Sequence, residues 1–303
     1  MADLRVNIAG IEFSNPVVTA SGTFGFGEEY GEYFDLDELG AIAVKGLTLL
    51  PREGNRAPRI AETPGGILNS VGLQNPGVEH FIKVDLPKLR QHTAKIIANI
   101  AGNTVEEYCE MASILSDSDV DMLEMNISCP NVKEGGVAFG TSAAMVEHIT
   151  REVKKYAKKP LIVKLSPNVA DIADIAKSAE AGGADALSLI NTLLGMAIDI
   201  NTRKPVLANN VGGMSGPCVR PVAVRMVWQA ANAVKLPIIG MGGITRYEDA
   251  IEFILAGAAA VAVGTGMFKN PMLPLDIKTG INRYLDNANI QSVNELVGKV
   301  VLN

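Results

Sequence analysis

The chain has 303 residues, of which 48% are hydrophobic and 20% charged, with a net charge of −6. That composition provides apolar material for a large core, and the acidic balance argues against a nucleic-acid partner, which calls for a basic face. The longest apolar stretch, Ile254 to Phe268, is rich in Gly and Ala and falls short of the ~20 residues of a membrane helix, so no membrane association is expected.

In chain order, residues 3–15 are expected to form a small β-hairpin around Ala9-Gly10, placed to floor the larger fold. Eight short apolar runs then recur: Pro16–Gly22, Ala41–Gly46, Lys95–Gly102, Met122–Ser128, Pro160–Ser166, Ala186–Thr192, Pro237–Gly243 and Ala260–Gly266. Most are continuous in apolar residues, as parallel strands covered on both faces are. Helical periodicity lies between most of them, with apolar stripes at Ile172, Ile175, Ala176 and Ala179 and at Ala250, Ile251, Ile254 and Leu255. Glycines at Gly40, Gly182-Gly183 and Gly257 read as left-handed helix caps directly before a strand. Eight strands with crossover helices and no linker point to an α/β fold, a single (β/α)8 TIM barrel over 1–303, with an open doubly wound sheet as the alternative.

Three segments, Leu47–His80, Cys129–Ser142 and Leu193–Pro217, are too long for simple connections. They follow strands 2, 4 and 6 and therefore gather at the C-terminal face, where barrel enzymes carry their chemistry. The strand ends there are polar: Lys45-Gly46, Asn126-Ile127-Ser128-Cys129, Lys164 and Asn191-Thr192. A lysine ending an apolar strand needs an anionic partner or a depressed pKa. Because only Glu124 lies near such an end, and it is inside strand 4, Lys45 and Lys164 are read as facing a ligand rather than rim carboxylates. Gly242-Gly243 and Gly264-Thr265-Gly266 end strands 7 and 8, where glycine-exposed amides beside a helix start bind phosphate.

Cys129 sits just past a strand end between Asn126 and Asn131, and a modestly acidified thiol there can act as a base near neutral pH. Cys109 inside the helix around 105–115 and Cys218 in Gly-Pro-Cys read as structural thiols. The three cysteines form no CxxC pair, so no metal site and no iron–sulfur cluster is expected in this chain, and reduced thiols fit a cytoplasmic location. The start MADLRVNIAG has an early acid and no apolar core, unlike a signal peptide. The basic run Arg151 to Lys159 reads as a solvated helix end. No histidine ends a strand, and no GxGxxG follows one, so an NAD site of its own is not expected.

Taken together, Asn126-Ile-Ser-Cys-Pro-Asn131, the Lys45-Gly46 end, Asn69-Ser-Val-Gly-Leu73 and the glycine pairs at 242–243 and 264–265 resemble the class 1 dihydroorotate dehydrogenases over essentially the whole chain. The resemblance implies one FMN per chain and oxidation of dihydroorotate to orotate in pyrimidine biosynthesis. It makes Cys129 the base. It assigns Ser21, Lys45, Gly46, Asn99, Asn126, Lys164, Ile190, Gly216, Gly242, Gly243, Gly264 and Thr265 to the flavin, with Lys164 near flavin N1. It assigns Lys45, Asn69, Ser70, Val71, Gly72, Leu73, Asn126, Asn131, Asn191 and Thr192 to dihydroorotate. The Asn-Val-Lys-Glu-Gly-Gly continuation at 131–136 is more similar to the NAD-linked class 1B type. That type implies a homodimer core flanked by iron–sulfur flavoprotein subunits, which carry FAD and a 2Fe-2S cluster, in a heterotetramer. A fumarate-linked class 1A enzyme and a flavin-dependent reductase of another pyrimidine stay open, as does a flavin-free isomerase or aldolase in which Lys164 forms a Schiff base.

Overall fold

Each of the eight apolar runs contains a parallel strand, shorter than its run. They are β1 (Val17–Thr19), β2 (Ala41–Ala43), β3 (Lys95–Ile100), β4 (Met122–Asn126), β5 (Leu161–Lys164), β6 (Ala186–Leu189), β7 (Ile238–Met241) and β8 (Ala260–Val263). In this computed structural model, which describes residues 2–128, 133–134 and 137–303, they pair in sequence order and close into a barrel. The doubly wound alternative is thereby excluded. The strands are apolar throughout because the barrel interior takes one face and the helical layer the other, leaving almost every strand residue buried.

Helices α1 (Val105–Ser116), α2 (Ala143–Lys154), α3 (Ile172–Ala181), α4 (Arg220–Ala233), α5 (Tyr247–Ala256) and α6 (Leu273–Ala288) form the outer layer. Asp171 starts α3 by accepting from the amides of Ala173 and Asp174, and its stripe Ile172, Ile175, Ala176 and Ala179 is buried. Gly257 ends α5 at φ +119 and Gly183 follows α3 at φ +95, the left-handed caps that sequence predicts. Gly40 differs. Its φ is not positive, and it is required by close approach, since a Cβ there would lie 1.9 Å from the Asn15 carbonyl oxygen.

The N-terminal hairpin pairs Val6–Ile8 with Ile11–Phe13 through Ala9 (φ 51) and Gly10 (φ 88), two positive φ values that suit the right-handed twist of the strands. Val6, Ile8 and Phe13 are buried, and Asn7 and Ala9 share a groove with Pro237 and Ala259, which precede β7 and β8. The hairpin therefore lies under the N-terminal end of the barrel. The basic run at 151–159 is solvated and ion-paired, for example Lys158 with Asp117 at 2.6 Å.

Two of the long segments are not loops. Ile60–Thr63 and Gly66–Asn69 from the β2 segment join Leu193–Gly195 and Gly212–Ser215 from the β6 segment in one four-stranded antiparallel sheet. Its register aligns Ile60, Asn69, Gly213 and Leu194 in a row across the four strands. Asn69 adds a bond from its Nδ2 to the Gly213 carbonyl at 3.3 Å. In the third segment, Lys133–Glu134 pairs with Val137–Ala138, while Cys129, Pro130, Asn131, Val132, Gly135 and Gly136 lie outside the described residues. Among the described residues, no helix is long and apolar enough to cross a membrane.

Candidate active site

The four-stranded sheet and the C-terminal ends of all eight strands enclose a cavity of about 760 Å³. Every described residue that the resemblance assigns to flavin or dihydroorotate lines it. Cys129 and Asn131 lie outside the described residues, but Ile127 and Ser128, directly before Cys129, are on the cavity wall.

Beneath the mouth the barrel interior is polar. Glu124 of β4 is buried and receives hydrogen bonds from side chains on three other strands. Ser188 Oγ of β6 donates to its Oε1 at 2.7 Å, and Asn99 Nδ2 of β3 and Lys164 Nζ of β5 donate to its Oε2, the latter at 3.4 Å. Lys164 also donates to Ser21 Oγ at 3.3 Å. The side chains of Lys164 and Glu124 are 6% and 3% exposed, so this ion pair is cut off from solvent screening. The expectation that Lys164 faces only a ligand is corrected here. Side chains in the barrel interior alternate along each strand, so a glutamate two residues before the strand end projects into the same interior as the neighbouring strand's terminal lysine.

Asn99 is fully buried and spends its Nδ2 on Glu124, leaving its Oδ1 without a partner; the buried Ser70 Oγ likewise has none. Each is an acceptor or donor that costs about 1–3 kcal/mol while unsatisfied. Lys45 is different in kind. It forms no ion pair among the described residues, and burial, helped by the nearby Arg59 charge, lowers its pKa below the ordinary lysine value.

An amide cluster stands above this layer. Asn126 Oδ1 accepts from Asn191 Nδ2 at 3.1 Å and from the Ser128 amide at 3.3 Å, and Asn191 Oδ1 accepts from the Thr192 amide at 2.8 Å. Tyr108 of α1 donates to the Asn126 carbonyl at 2.6 Å, fixing the end of β4 from outside. Across the cavity, Gly72 (φ 80) and Leu73 (φ 57) turn the chain sharply above the mouth, and Asn55 Nδ2 holds this turn by donating to the Ser70 carbonyl at 2.8 Å.

The wall at β7 and β8 is backbone-rich. Gly216, Gly242 and Gly243 have φ values of 112, 131 and 77, and a Cβ on Gly243 would lie 2.7 Å from the Gly216 carbonyl oxygen. Thr265 Oγ1 donates to Ser215 Oγ at 2.8 Å, joining this wall to the antiparallel sheet. Behind it, Asp249 accepts from the Thr245 amide and hydroxyl and pairs with Arg220, anchoring the loop after β7.

Sequence reasoning missed Ser188, Asn55, Ser215 and the bridging role of Glu124. The signal for Ser188 was its place inside an otherwise apolar strand. Cys218 is exposed rather than buried, because its turn precedes α4 on the outer edge of the glycine wall. Cys109 is a half-buried free thiol on α1, and burial raises its pKa.

A closed parallel barrel whose strand ends present an ammonium, an amide cluster and a glycine wall around one cavity defines a barrel enzyme with its site at the C-terminal face. The chain belongs to the dihydroorotate dehydrogenase family, whose model matches residues 3–285, and is an oxidoreductase. It is 63% identical over 298 residues to a protein of Alkaliphilus metalliredigens and to one of Alkaliphilus oremlandii, covering 98% of this chain and 99% of each relative. A protein of Thermoanaerobacter pseudethanolicus is 56% identical over the same length and coverage. All three are named dihydroorotate dehydrogenase B (NAD(+)), catalytic subunit.

Proposed function

We propose that this chain is the catalytic subunit of an NAD-linked dihydroorotate dehydrogenase, oxidising dihydroorotate to orotate with one FMN bound in the domain 1–303. The observation that carries the reading is the cavity itself. It has the volume of a cofactor site, and Lys164, the amides of Asn126 and Asn191 and the glycines Gly216, Gly242, Gly243 and Gly264 line it together. The residues fit FMN. The Gly242-Gly243 and Gly264-Thr265 ends offer backbone donors to a phosphate, close-packed so that no side chain fills the space. Ser21, Lys45, Gly46, Asn99, Asn126, Ile190 and Gly216 line the remaining path, and Lys164 brings a cation.

When bound, FMN supplies a two-electron acceptor beside the substrate. Cys129 takes the proton from one ring carbon of dihydroorotate as the adjacent carbon gives up its hydride, which creates the double bond of orotate. The Lys164 ammonium would hold a positive charge beside the bound cofactor, where it would stabilise the electron pair the cofactor accepts. Asn69, Asn126, Asn131, Asn191 and Thr192, with Lys45 and the backbone of 70–73, hold the substrate's carboxylate and ring amides in donor–acceptor register. The family match counts against the Schiff-base reading.

The relatives' names join "catalytic subunit" to NAD(+). Those names fit a partner subunit, and with the resemblance at 131–136 the reading extends to a cytoplasmic homodimer flanked by iron–sulfur flavoprotein subunits, whose FAD and 2Fe-2S cluster carry electrons onward to NAD. Anaerobic mixing of the FMN-loaded chain with dihydroorotate tests the catalytic part. Rapid bleaching of the flavin absorbance is expected, and an unbleached spectrum overturns it.

A further inference from the structure

Glu124 has no part in holding substrate, yet it is the most heavily bonded carboxylate beneath the cavity. It joins β3, β5 and β6 from within, through Asn99, Lys164 and Ser188. Its charge acts in two ways. First, it sets the Asn99 amide. A carboxylate accepts only, so Asn99 must turn its Nδ2 toward Glu124 and leave its Oδ1, the orphaned acceptor, on the other side, close to Gly46 on the cavity wall. Second, it counters Lys164. Both side chains are almost wholly buried, so a charge in the cavity feels the lysine and the glutamate together with little screening.

We infer that Glu124 is a positioning residue for the flavin: it presents Lys164 as a tethered donor, fixes the Asn99 amide beside it, and tempers the positive field at the cofactor so that the reduced flavin is not held too tightly to pass its electrons on. The inference rests on the proposed FMN site. It extends to a residue outside the first layer of ligand contacts. An untempered buried ammonium favours the anionic reduced flavin strongly, whereas a lysine–glutamate pair favours it less, because the carboxylate repels the same charge from slightly farther away.

The test measures the affinities of the chain for oxidised FMN and for dithionite-reduced FMN under anaerobic conditions at pH 6, in the parent and in Glu124→Gln. The ratio of reduced to oxidised affinity should rise at least ten-fold in Glu124→Gln, equivalent to about 30 mV for a two-electron couple. Should the glutamine variant not fold, Glu124→Asp, which draws the same charge back by one methylene, must move the ratio in the same direction by a smaller factor. An unchanged or lowered ratio overturns the inference. Failure of the parent to bind FMN at all overturns the proposed cofactor, and the inference with it. FMN binding by the parent with no response to Glu124 leaves the proposed function standing and removes only this inference.

Discussion

Replacing Lys164 with Met in FMN-free protein isolates the energetics of the polar layer from the chemistry. The substitution leaves the 3%-exposed Glu124 side chain without its cation, while the bonds from Ser188 and Asn99 remain. Removing one partner of a buried ion pair costs about 3–5 kcal/mol, and the two surviving donors place this site at the lower end, ~3 kcal/mol. That is roughly a 150-fold fall in the folded-to-unfolded ratio. At about 2–4 °C per kcal/mol for a chain near this size, the melting temperature should drop by roughly 6–12 °C. Adding Glu124→Gln should restore most of the loss, because a neutral pair no longer strands a charge in the interior. Urea titration followed by circular dichroism, on protein stripped of FMN, measures both variants. A Lys164→Met protein within about 0.5 kcal/mol of the parent, the spread of ordinary surface substitutions, would refute the reasoning.

Cys129→Ala should bind FMN and orotate much as the parent does but reduce its flavin at least about 100-fold more slowly in stopped flow, while Cys109→Ala and Cys218→Ala leave that rate nearly unchanged. Gly243→Ala combines a strained φ of 77 with a Cβ that meets the Gly216 carbonyl at 2.7 Å; equilibrium dialysis should show FMN binding weakened by at least about ten-fold, and unchanged binding would remove the phosphate from this wall. Burial and Arg59 depress the Lys45 pKa, so the folded chain sheds this proton more readily than the unfolded chain. Stability of the FMN-free parent therefore rises with pH through the window between the depressed value and the ordinary ~10.4, and the advantage of Lys45→Met should shrink across that window in a series of urea melts. The isolated chain, loaded with FMN, should pass electrons from dihydroorotate to dyes but not to NAD, and fumarate should be a poor acceptor; rapid fumarate turnover would favour the class 1A type.

The barrel was legible because its signal is local and repeated. Each strand announces itself as an apolar run buried on both faces, and each crossover helix by its stripe, as at 172–179. The cavity-lining residues were legible because barrel topology sends every strand's C-terminal end to one rim, so Lys45, Asn126, Lys164 and Thr192 could be placed together from strand ends alone. The N-terminal hairpin was legible from its turn residues.

What the sequence by itself determined, then, is strand order, the rim on which polar ends collect and the glycines that keep the β7–β8 wall open. Only the tertiary structure decided which of those polar residues satisfy one another. Pairing of the β2 and β6 segments into a sheet above the mouth joins residues such as Asn69 and Gly213, 144 positions apart, through backbone bonds that no local pattern encodes. The same holds for Lys164 and Glu124, 40 positions apart on adjacent strands. Their contact depends on the stagger of strands in a closed barrel, which sets residues of different sequence position at one depth in the interior. Period and burial are properties of one segment, whereas register between segments is set only when the sheet closes.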